Sequence, residues 1–326
     1  MTVVDRRPDI TSMVASRRTR MWFVFALTAL ALLAVLELRV WSGVVVAAAA
    51  GLSVVPGMLP RTRRVVDAQD LVVVSGLYLV VVAGLWFAFR VFTTDQVLGL
   101  FLCFATGLLV GVVGPVVYQV WVRGRDLRSL GIGGHEWRAT LWMGLALAGV
   151  QFAVTLWGYR LPAAEEWVPL LGMSLVVGLF EAVFFRGFVQ GRLEASFGPV
   201  AGVAGAAVLY AGYHVGYGMG VSEMWFLLGL GVLYAVVYRL TTNILIVWPL
   251  LTPIGAFFNN VDAGDIDLPW ASLAGFADVA AVMAASLWLA RRHIRRTQRD
   301  RATVSSDVMS SARELERDHR TGSEGA

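Results

Sequence analysis

Residues 170–194 read LLGMSLVVGLFEAVFFRGFVQGRLE. A helix needs about 20 consecutive, mostly apolar residues to cross a bilayer, and this run supplies them. Yet Glu181 stands in the middle of it. A charged side chain at such a position costs on the order of 2.5–3.5 kcal/mol even on the lenient insertion scale, so it marks a functional site by default. The next apolar run holds a second titratable group, in Tyr210-Ala-Gly-Tyr-His214.

Similar runs recur along most of the chain. Of 326 residues, 57% are hydrophobic and only 15% are charged, with a mean hydropathy of +0.68. Soluble domains have about 45–50% apolar and about 25% charged residues. The fold class is therefore all-α, a polytopic helical membrane bundle with about ten transmembrane helices. The expected spans are 21–38, 40–58, 71–89, 97–120, 139–157, 170–193, 199–217, 225–240, 244–258 and 270–290.

Arginines cluster after every second span: Arg61, Arg63 and Arg64; Arg123, Arg125 and Arg128; Arg192; Arg239; and Arg291, Arg292, Arg295 and Arg296. Positive residues accumulate on the cytoplasmic side, which puts both termini in the cytoplasm and suits a plasma-membrane protein. The organisation expected is a basic cytoplasmic tail over 1–20, four helices within 21–122, a core over 125–260, a last helix at 270–290 and a disordered cytoplasmic tail over 291–326. The net charge of +4 sits at the two ends. It points to the lipid bilayer as partner rather than to nucleic acid. The single cysteine, Cys103, excludes an internal disulfide and a thiolate metal cluster.

Glu181 lies about 12 residues before the end of the sixth span and His214 about 15 after the start of the seventh, roughly 18 and 22 Å at ~1.5 Å per residue. Both therefore reach similar depth on adjacent helices. A carboxylate and an imidazole held together there can share a proton and polarise water, which is general-base chemistry. Gly202, Ala204, Gly205, Ala206 and Ala207 let the seventh helix approach its neighbours closely.

Glu-Ala-Val-Phe-Phe-Arg-Gly-Phe-Val-Gln-Gly-Arg-Leu-Glu, from Glu181 to Glu194, followed by Tyr210-x-x-x-His214, resembles the signature of the CPBP intramembrane proteases. That family includes the type II CAAX prenyl endopeptidases and bacteriocin-processing or self-immunity proteins. The resemblance runs over roughly Arg125 to Asn260. Its pattern is Glu-Glu-x-x-x-Arg, then Phe-x-x-x-His, then His-x-x-x-Asn. It implies that Glu181 activates water, with His214 as its partner. Arg186 matches the motif arginine, Tyr210 stands for the phenylalanine, and Asn259 or Asn260 matches the oxyanion-stabilising asparagine.

Two positions depart from the pattern. The second glutamate is Ala182, which leaves Arg186 without its i, i+4 acid. Gly255 and Ala256 occupy the place of the second histidine. No cofactor is expected, since Glu181 and His214 alone fall short of the usual three-ligand zinc site; a metal, if used, would rest on those two.

The resemblance thus implies an intramembrane endopeptidase that cleaves a membrane protein or peptide substrate. The alternative is a catalytically impaired member acting as a membrane binding, immunity or scaffold protein. Asp278, inside the tenth span, is read as a helix-to-helix hydrogen-bonding residue. Glu165-Glu166 falls in a loop without the following aromatic-Arg and is set aside. Gly107-x-x-x-Gly111 is read as a helix-packing pair.

Overall fold

Nine consecutive residues, Ala182 to Gln190, are all buried. A helix that is apolar and enclosed on every side belongs at the centre of a bundle, and the other elements are arranged around it. The computed structural model describes residues 66–93, 96–133, 137–155, 167–251, 274, 277 and 279–300. Among the described residues all regular structure is helical and no strand occurs.

Helix α1 is Ala68–Val91 and α2 is Val97–Val122. Helix α3 is Trp137–Thr155. Helix α4 starts as Trp167–Glu181 and continues through Ala182–Gln190 and Gly191–Phe197. Then come α5, Pro199–Tyr213, α6, Val221–Thr241, α7, Ile244–Leu251, and α8 over 279–300.

Four segments among the described residues are long and apolar enough to cross a membrane: Ala68–Val91, Val97–Val122, Leu170–Phe197 and Glu223–Thr241. Outward-facing Val72, Leu79, Phe101, Trp142, Val208 and Trp225 are all at least half exposed, as a lipid-facing surface requires. The expected spans 21–38 and 40–58, and the second part of 244–258, lie outside the described residues. At the other end the expectation needs correcting. Helix α8 runs on through residue 300 instead of stopping at Ala290, because Arg291, Arg292, Arg295, Arg296 and Arg299 are good helix formers despite their charge.

Helix α4 packs against α2, α5, α6, α7 and the short turn Leu127–Leu130. The Gly107 and Gly111 pair on α2 lies against the Phe180 ring of α4, so it packs helices as expected. On the neighbouring face, a Cβ at Gly202 would stand 2.7 Å from the backbone nitrogen of Glu194. That contact lets α5 lie flat on the end of α4. A Cβ at Gly187 would run into the carbonyl oxygen of Leu130. Overpacking of this kind costs about 1–3 kcal/mol. Gly187→Ala is therefore expected to lower the thermal midpoint of the detergent-purified protein; an unchanged midpoint would mean that the two segments part without cost.

One end of the bundle is tied by ion pairs. The buried Asp70 carboxylate accepts from the Tyr118 hydroxyl at 2.6 Å and from both Arg125 terminal nitrogens at 3.0 and 3.1 Å. Arg192 reaches it at 3.4 Å, and Arg123 pairs with Asp67. Beside it, Arg239 of α6 pairs with Glu194 of α4. Arg123, Arg125, Arg192 and Arg239 thus serve as structural ion-pair partners in this part of the bundle.

Candidate active site

Glu181 ends the regular α-helical part of α4, and a π-helical stretch of wider turns, Ala182–Gln190, begins immediately after it. The carboxylate is 2% exposed. Both of its oxygens are occupied from α5: Tyr213 donates its hydroxyl to Oε1, and Tyr210 donates to Oε2 at 3.4 Å. The Tyr213 bond is the close one and the Tyr210 contact is long for an O–H···O bond, so the Tyr213 hydroxyl does most to offset the cost of burying the acid.

His214 closes α5 and opens a single tight turn, His214–Tyr217. Its Nδ1 lies 2.9 Å from the carbonyl oxygen of Tyr210. A carbonyl only accepts, so Nδ1 carries a proton and donates it to that oxygen. The imidazole is enclosed by aromatic rings, with Tyr213 at 4.1 Å, Tyr210 at 5.3 Å and Tyr217 at 5.6 Å between centroids. Glu181 and His214 therefore belong to one aromatic cage. They are coupled through Tyr210 and Tyr213; no direct hydrogen bond joins them among the described residues.

Arg186 is the third member. It is fully buried, and its guanidinium carbon lies 4.8 Å from the centre of the Tyr210 ring. Among the described residues none of its three side-chain nitrogens has a hydrogen-bond partner. Ala182 explains this locally, because the residue one turn back offers a methyl group where the family pattern has an acid.

Tyr210 is thus a hub: its ring carries Arg186, its hydroxyl holds Glu181 and its carbonyl orients His214. Tyr213 was not singled out in the sequence. The signal was there in the spacing Tyr210, Tyr213, His214 and Tyr217, which places all four on one helical face. Asn259, Asn260, Asp278 and Glu165-Glu166 lie outside the described residues.

A zinc centre does not fit what is described. Both Glu181 oxygens already accept hydroxyls, His214 offers only Nε2, and no group of three potential ligands occurs among the described residues. Structural and catalytic zinc sites use at least three protein ligands, so no step is derived through a metal.

Residues 162–250 match the family model described as type II CAAX prenyl endopeptidase Rce1-like. The match spans α4, α5, α6 and most of α7, and contains Glu181, Arg186, Tyr210 and His214. It supports membership of the CPBP family. No curated protein and no solved structure matches the chain. The CPBP match is narrower than the 125–260 resemblance, and it ends before Gly255, Ala256, Asn259 and Asn260. The match supports a CAAX-protease-like function in general, and the four apolar helices indicate an integral membrane protein.

Proposed function

We propose that this chain is an intramembrane endopeptidase that hydrolyses a peptide bond in a membrane-associated substrate. Glu181 is the general base and accepts a proton from the attacking water. His214 orients that water or shuttles the proton onward. Asn259, with Asn260 beside it, contributes an oxyanion contact. Tyr210 and Tyr213 hold the Glu181 carboxylate in one orientation.

The observation that carries this reading is the caged acid. A carboxylate 2% exposed, held by the Tyr210 and Tyr213 hydroxyls and set in one aromatic cage with an imidazole, is costly to maintain for packing alone. The proposed frame is a ten-pass bundle with the CPBP-type core over 125–260 and both termini on the cytoplasmic side of the plasma membrane. The clustering of Arg123, Arg125, Arg192 and Arg239 at one end supports that orientation.

The test uses purified protein in proteoliposomes with a fluorogenic peptide attached to a lipid chain. Wild-type protein is expected to cleave it, and His214→Ala to lower the rate by about 10²-fold or more, in the range of a lost acid–base group. Cleavage by neither protein, with substrate binding retained by both, would instead favour the binding-protein alternative.

A further inference from the structure

Arg186 is a buried guanidinium whose three nitrogens have no hydrogen-bond partner among the described residues. Its contact with the Tyr210 face and the nearby Glu181 charge offset part of the penalty for burying an ion, while its N–H groups stay without an acceptor among the described residues. Donors fixed in a dry site and empty in the ground state are what stabilises charge that appears only in a transition state.

We infer that Arg186 is an additional catalytic residue: its N–H groups receive the oxyanion of the tetrahedral intermediate. The inference rests on the hydrolytic reading above. In the addition step one O–H bond of water breaks and the proton goes to Glu181. The water oxygen forms a bond to the scissile carbonyl carbon, and the C=O π pair moves onto the carbonyl oxygen. Negative charge disappears from Glu181 as it appears on that oxygen. Arg186 remains positive throughout, so the charge of the pocket stays balanced while it shifts from one anion to the other. On collapse the C–N bond breaks, the Glu181 proton passes to the leaving nitrogen, and an acid and an amine are released.

The experiment compares wild type, Arg186→Lys and Arg186→Gln in proteoliposomes, with melting curves to confirm folding. Expected is a fall in kcat of about 10²–10³-fold, as for other oxyanion donors, with KM within about threefold. A rise in KM at constant kcat would overturn the inference and make Arg186 a holder of a substrate anion; unchanged kinetics would overturn it outright. A second measurement does not depend on turnover: binding of a peptide phosphinate, whose tetrahedral anion imitates the intermediate, against the parent peptide. Wild type should prefer the phosphinate by at least about tenfold, and Arg186→Lys should lose most of that preference. Equal binding of both ligands by wild type overturns the inference. If wild type cleaves nothing yet shows an Arg186-dependent phosphinate preference, the hydrolytic reading fails and the anion site stands.

Discussion

Glu181→Gln is expected to reduce peptide hydrolysis by about 10²–10⁴-fold, the range of a lost general base, while the protein stays folded and inserted. Glutamine keeps the shape of the side chain and its carbonyl oxygen still accepts a hydroxyl. The Tyr210 and Tyr213 hydroxyls that now donate to Glu181 therefore retain partners, since a tyrosine oxygen also accepts from the new amide. What is lost is the capacity to take a proton from water. Glu181→Leu is a different experiment. It strands two buried hydroxyls at about 1–3 kcal/mol each, so a loss of activity there mixes chemistry with stability. Initial rates and melting curves for the glutamine variant separate the two; full activity in a well-folded Glu181→Gln protein would remove Glu181 from the mechanism.

The second large effect falls on stability. Glu194 and Arg239 pair with side chains only 9% and 4% exposed. Gln190 ties them further by donating to Glu194 and to the Ala235 carbonyl, each at 2.8 Å. Glu194→Ala leaves the Arg239 charge buried and unpaired, a change that costs about 3–5 kcal/mol. Removing both charges, with Met at each position, should recover much of that loss, because a buried pair replaced by apolar residues is often neutral. Denaturant or thermal unfolding in detergent checks this. Purely additive losses in the double variant would show that the two side chains are not energetically coupled.

Length and apolar composition made the membrane helices legible. The spans expected at 97–120 and 225–240 begin or end within a few residues of α2 and α6, since a 20-residue apolar run has few other ways to satisfy its backbone. The continuation of α8 past Ala290 is not legible in the sequence, because charge there suggests a break, whereas arginine disfavours burial and not helix.

At the site, Glu181, Arg186, Tyr210 and His214 were recognisable because acids, bases and motif spacing are rare in apolar sequence. The structure brings these four together. Tyr213 escaped notice because a tyrosine in a membrane helix is unremarkable until its hydroxyl is seen on a carboxylate. Asp70 was hidden for another reason: its partners Tyr118, Arg125 and Arg192 are distant along the chain, and only packing joins them. Glu181 and His214 meet through Tyr210 and Tyr213, with no direct hydrogen bond between them among the described residues. Depth along a helix says nothing about which face each side chain takes.

The measurement that bears most directly on the function is hydrolysis in ¹⁸O-labelled water, followed by mass spectrometry of both fragments. Wild-type protein should yield one new carboxylate bearing a single heavy oxygen and one new amine, and the Glu181→Gln protein should yield neither above background. No cleavage by wild type, or labelled product formed equally by the variant, would contradict the assignment of Glu181 as the base of an intramembrane hydrolase.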